Sequence, residues 1–216
     1  ADTLGSVIRT HGAMAAEVVL EVLGSEFDDW RSEGASSYDA KLAVFIMDDI
    51  LEHGGEVGRH HAEDFIPALI HFATIDSIES PDMGAARQAA VFGLGSTAWA
   101  HPKLMQPYLL EAAGALLSTA EQTDAIVQEV MESLEGQDID MNDVSFPGDA
   151  NMVFDNAVSA LGRLMHASMH NKGGEVCEGV DADDALSLWQ QWLGHLPLHF
   201  DVTECRVAVQ VLCERI

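Results

Sequence analysis

RQAAVFGLGSTAWA, residues 87–100, is the stretch on which the fold turns. Its apolar residues recur at helical spacing rather than alternating as in a strand. Ala89, Ala90, Gly93 and Gly95 leave little side chain on more than one side of such a helix. That suits a helix with close neighbours on both flanks, whereas a lone amphipathic helix of a bundle would not need so many small positions. Three other stretches share the mixture of small and apolar residues: KLAVFIMDDILEH (41–53), DNAVSALGRLMHA (155–167, with Ala160 and Gly162) and TECRVAVQVLCERI (203–216). With Asp48, Gly95, Gly162 and Cys213 placed in register, the spacings are 47, 67 and 51 residues.

Arrays of antiparallel helix pairs, of the HEAT and armadillo kind, repeat at about 40–47 residues. The longer spacing is one such period plus the acidic, turn-rich segment 132–151, ESLEGQDIDMNDVSFPGDAN, which reads as a loop insertion. The expected fold is therefore all-α. It is a HEAT-repeat α-solenoid, a right-handed superhelix of about four to five helix pairs, with residues 1–216 forming a single array. Periodicity predicts helices at about 2–11, 13–31, 37–53, 61–76, 82–100, 103–120, 123–134, 150–169, 182–196 and 201–215. Gly54-Gly55 stops one of them, Ser80-Pro81-Asp82 starts another, and Asp181 or Asp183 and then Asp201 are placed to cap the last two. Residues 170–180, HNKGGEVCEGV, read as a Gly-rich loop.

The charge is lopsided: 10 Lys and Arg against 36 Asp and Glu, a net −26, in a chain that is 48% apolar. So large an apolar fraction supplies a core and removes disorder as the reason for the charge. A strongly negative chain repels nucleic-acid phosphates and anionic membrane, which excludes both as favoured partners. A basic protein is the partner that electrostatics would steer in; the plainer alternative is that the charge keeps an apolar-rich chain in solution. Cys177, Cys205 and Cys213 form no close pair, which argues against a disulfide scaffold; Cys205 and Cys213 read as small buried hydrophobes. There is no run of 18 apolar residues and no basic-then-apolar leader in ADTLGSVIRT. With no initiating Met, the chain is expected to be a fragment of a longer one.

At the repeated helices the sequence resembles a known family. PDMGAARQAAVFGLG (81–95) is similar to the HEAT-repeat signature, with Asp82 in the turn, Arg87 five residues on, and an Ala/Gly-rich inner helix. FIMDDILEHGG (45–55), ARQAAVFGLG (86–95), DNAVSALGRLM (155–165) and WLGHLPLHFDVTECRVAVQVLCERI (192–216) resemble, in order, the C-terminal region of the importin-beta (karyopherin-beta) family, nearest its importin-five subgroup. The likeness runs from about residue 37 to the end. The first 36 residues match only loosely, the 132–151 insertion is longer than the family pattern, and 170–181 carries Gly where Pro-flanked turns are expected.

The resemblance implies a nuclear transport receptor that shuttles between cytoplasm and nucleus. Such receptors hold protein cargo on a concave surface formed by the second helix of each repeat. They contact phenylalanine-glycine repeats of nucleoporins and release cargo when GTP-bound Ran binds. The main Ran surface lies in N-terminal repeats, outside this segment.

Asp48, Asp49 and Glu52, near the end of one predicted helix, form either an acidic patch for Lys and Arg of cargo or, more plainly, a solvated helix face or ladder contacts between repeats. Arg87 paired with Asp82 could bind a ligand, but the plainer role is a capping or inter-repeat hydrogen bond that fixes the turn, shared by Arg163, and Gly95 and Gly162 are expected to be structural as well. His53, His60 and His61 with Glu52 and Glu63 supply metal-ligand residue types, but not at any metal-ligand spacing, so no metal is expected. Trp99, Trp189 and Trp192 are either partner hot spots or core, and helical spacing favours core for at least two. GLGSTA (93–98) lies inside a predicted helix and not at a strand-to-helix elbow, and no phosphate loop, dinucleotide fingerprint or CxxC pair occurs. The expectation is a binding protein with no cofactor, not an enzyme. One rival is a HEAT-repeat scaffold subunit of a constitutive complex, and a second is an enzyme with a carboxylate-bound metal.

Overall fold

A computed structural model describes residues 2–32, 34–75, 80–136, 144–168 and 180–215. Among them every regular element is helical. The helices are α1 (Asp2–His11), α2 (Ala13–Leu23), α3 (Ser25–Trp30), α4 (Ser37–His53), α5 (Glu56–Thr74), α6 (Pro81–Ala100), α7 (Pro102–Met105), α8 (Leu109–Ser133), α9 (Ala150–Ser168), α10 (Ala182–Gly194) and α11 (Val202–Arg215). Short 3-10 turns at Gln106–Tyr108 and Pro147–Asp149 lead into α8 and α9.

The helices alternate between two layers as the chain proceeds. Packing runs from α1 to α4, α4 to α6, α6 to α9 and α9 to α11, which makes one row. It runs from α2 to α5 and α5 to α8 in a second row, while α10 lies against α9. The four repeated stretches of the sequence are α4, α6, α9 and α11, so each is a neighbour of the next. The small residues explain how close that row is. A Cβ on Gly95 would lie 2.8 Å from the Cα of Ala160 on α9, a distance real Cβ atoms do not reach. One on Gly162 would lie 2.8 Å from the ring of Trp192. The core runs along the row through Val44, Met47, Ile50, Leu51, Ala90, Leu94, Val158, Leu161 and Val211. Phe65, Ile66 and Leu69 of α5 and Ala112 and Leu116 of α8 close it from the second row.

Four boundaries differ from the sequence expectation, each for a local reason. The predicted helix 103–120 is interrupted after Met105 by the 3-10 turn at Gln106–Tyr108, where Pro107 has no N–H to continue the α-helical ladder. The predicted helix 13–31 is broken into α2 and α3 because Gly24 takes φ 48°, open to glycine at little steric cost. Helix α5 starts at Glu56 rather than 61, because Gly55 at φ 59° turns the chain within two residues of α4. Gly58 then lets the first turn of α5 lie against the last turn of α4. The predicted break near 121 is absent: α8 runs on because Thr119 donates to the carbonyl of Ala73 (2.7 Å) and Thr123 to that of Thr119 (2.8 Å). Those hydroxyls, satisfied in place, give the helix no reason to stop.

The caps follow the sequence. Asp181 accepts the N–H of Asp183 (2.8 Å) and Asp201 that of Thr203 (2.8 Å). Of the acidic segment 132–151, residues 137–143 lie outside the described residues. The rest is partly ordered: 132–133 finish α8, and Val144 and Phe146 join Val127, Ala150 and Phe200 in a small second core. The expected loop 170–180 lies outside the described residues apart from Val180, which packs on the main core.

Candidate functional site

The carboxylates singled out near the end of α4 divide by environment. Asp48 is buried at the α4–α6 contact, where the Ser96 hydroxyl donates to its carboxyl at 3.1 Å. It faces neighbouring helix rather than solvent, so it presents no carboxylate to a partner. Burial, with help from Glu52, pushes its acid group up to about 8. Asp49 is half-buried and accepts from Arg9 of α1 at 2.9 Å; burial raises its acid group and Arg9 pulls it down. Glu52 is half-buried, 3.7 Å from the His53 imidazole, and its main-chain oxygen lies 3.4 Å from His101. These three residues therefore knit α1, α4 and α6 together.

Much of the exposed acid is carried by the second row. Glu17 and Glu21 on α2, Glu56, Glu63 and Asp64 on α5, and Glu111, Glu121, Glu129 and Glu132 on α8 are all exposed. The only basic residues of those helices, Arg59, His60, His61 and His71, all belong to α5, and Arg59 is taken up by Glu56 at 2.6 Å. Across the α5–α8 contact the acid converges on one group. Burial raises the phenol of Tyr108, and the charges of Glu63, Asp64 and Glu111 raise it further. An aromatic ring set among three exposed carboxylates can take a Lys or Arg side chain, the ring by cation–π contact and the carboxylates by charge-assisted hydrogen bonds. Sequence reading missed this set, because Tyr108 sits in a short turn and its acids come from two helices that only the fold brings together.

The residues expected to be structural do bridge helices, with different partners than the sequence suggested. Asp82 pairs with Lys41 of α4 rather than with Arg87. Arg87, buried, donates through Nε to the carbonyl of Ala73 (2.9 Å) and through Nη2 to Gln122 of α8 (2.9 Å). It thus ties the end of α5 to α6 and α8. Arg163 on α9 donates to Glu204 on α11 at 2.5 Å, both side chains buried, with the guanidinium 5.2 Å from the Phe92 ring of α6. Asp155, another buried acid in the repeated pattern, accepts the backbone N–H groups of Phe200 and Asp201 at 2.6 Å each and of His199 at 3.4 Å. It fixes the turn that delivers α11 to the row. Burial pushes its carboxyl up, and those three donors pull against the shift.

Trp192 is fully buried and donates to the carbonyl of Val158 (2.8 Å); Trp189 packs edge-on to it with ring centres 5.3 Å apart. Trp99 is 39% exposed and stacks on His166, which reaches Glu214 at 2.9 Å. His61 stacks on Phe65 and stands edge-on to His60. Among the described residues, no group of three or more His, Cys, Asp or Glu is placed to hold a metal ion. The expectation of two buried cysteines is corrected: Cys205 is half-buried and Cys213 is exposed, off the buried positions Glu204, Ala208 and Val211 of α11, and Cys177 lies outside the described residues. Among the described residues, no helix is long and apolar enough to cross a membrane. No protein-family model matches the chain.

Proposed function

We propose that this chain is a HEAT-repeat α-solenoid segment of an importin-beta-type nuclear transport receptor and that it holds a basic protein cargo. The observation that carries the reading is the position of the resembling stretches: α4, α6, α9 and α11 are successive neighbours in one row. Helix pairs that touch mainly their neighbours let an array change curvature at small expense per contact and wrap partners of different shape. The acidic second row, with Tyr108, Glu63, Asp64 and Glu111, supplies chemistry for Lys and Arg. In this reading nucleoporin phenylalanine-glycine repeats and Ran act on the full receptor, Ran through parts other than this segment. The receptor works in cytoplasm and nucleus, without a cofactor and without catalysing a reaction.

The scaffold reading draws support from a different feature. Leu4, Val7, Met14, Val18 and Val22 leave an exposed apolar face on α1 and α2, around an open cleft of about 440 Å³. Permanent assemblies favour apolar contact of that sort. The two readings part on release. With cargo bound to the full-length parent, Ran-GTP should free most of it, and Ran-GDP should not. Retention of every bound protein in Ran-GTP would sink the transport reading and leave the scaffold.

A further inference from the structure

The α4–α6 contact is built around an acid group that a close-packed interface has little reason to hold. Asp48 is only 8% exposed. Gly93 of α6 comes so near that a Cβ there would sit 2.8 Å from the carboxyl Oδ1. Ser96 is its only hydrogen-bond donor among the described residues. The same Ser96 oxygen is 3.3 Å from the carbonyl of Gly93. A hydroxyl has one proton, so the protonation state of Asp48 decides how the three groups connect.

As the acid, Asp48 donates to the Ser96 oxygen and Ser96 donates on to Gly93, and every proton has an acceptor. As the carboxylate, Asp48 takes the Ser96 proton for itself. The charge then sits almost wholly inside the α4–α6 contact with one protein donor among the described residues and little access to solvent, and such a charge is costly. The charged groups acting on it come from two helices. Glu52 and Asp49 of α4 oppose the negative charge, and Arg9 of α1 favours it but is engaged by Asp49. The facing groups of α6, Ser96 and Gly93, are uncharged.

We propose that Asp48 makes the α4–α6 contact a proton-operated latch, closed when its carboxyl is protonated and loosened when the proton leaves to solvent. The folded chain holds this proton to about pH 8, against an ordinary value of 3.8. Stability from the latch is therefore complete below the ordinary value. It declines as pH rises and is lost once pH passes the folded value. Glu52 and Asp49 set the working range by standing beside Asp48, and the joint that yields is one between neighbours of the row. The device needs no partner and does not rest on the transport reading.

Amide exchange of the 216-residue chain, corrected for intrinsic rates, tests it at about pH 6 and about pH 9. In the native chain, protection over the second half of α4 and over α6 should drop at least about tenfold more than over α8. In Asp48→Asn, a neutral group of the same shape, that excess should vanish. An equal excess in the variant, or none in the native chain, overturns the proposal. Should the variant not fold, carbon-detected NMR of the native Asp48 carboxyl decides alone. A midpoint well above neutral supports the latch, and a midpoint in the usual carboxylate range overturns it.

Discussion

Arg163→Met is expected to destabilise the chain by about 3–5 kcal/mol, because it strands a buried carboxylate. Arg163 and Glu204 are both buried, join α9 to α11 at 2.5 Å, and have the Phe92 ring beneath the guanidinium. Methionine keeps much of the volume, so the loss isolates the charge rather than the packing. The double variant Arg163→Met with Glu204→Leu removes both charges, and most of the lost stability should return. Urea unfolding followed by circular dichroism measures both, and the double-mutant cycle should show strong coupling. A single variant within about 1 kcal/mol of the native chain would mean that the pair is solvated and that α11 is held by apolar contact alone.

Trp192→Ala should cost about as much, again about 3–5 kcal/mol, through a different mechanism. Trp192 has no exposed surface, its indole N–H is bonded to Val158, and its ring lies on the Cα of Gly162. Removing it opens a cavity where α10 meets α9 and leaves a buried carbonyl without its side-chain donor. Trp192→Phe keeps most of the apolar bulk and should lose about 1–2 kcal/mol less than alanine does. If alanine and phenylalanine prove equally mild in the same unfolding experiment, α10 is peripheral to the fold.

The two variants also show what the sequence could and could not say. The row of repeated helices was legible because its cause is local in sequence: small residues at helical spacing, at similar intervals, with turn residues between. Gly95 and Gly162 announce close approach by their absence of side chain, and the structure puts Ala160 and Trp192 there. Caps at Asp181 and Asp201 were legible for the same reason. The partners of buried charges were not, because they depend on which helices meet. Asp82 and Arg87 are five residues apart and looked like a pair, yet each is satisfied from another helix, by Lys41 and by Ala73 and Gln122. Asp48 reads either as surface acid beside Asp49 and Glu52 or as a contact between repeats, and only the arrival of Gly93 and Ser96 decides for the second. The Tyr108 set is formed by two helices whose acids carry no shared spacing.

That set also offers the most direct test of the central claim, that the chain holds a basic protein through its acidic second row. The measurement is fluorescence anisotropy of a labelled Lys/Arg-rich peptide titrated with the 216-residue chain. It is run at low and at high salt, and repeated with Glu63→Gln, Asp64→Asn and Glu111→Gln combined. Binding should weaken as salt screens the face, and should be at least about tenfold weaker in the triple variant at low salt. Binding that ignores both salt and the three substitutions, or no binding at all, would contradict that claim.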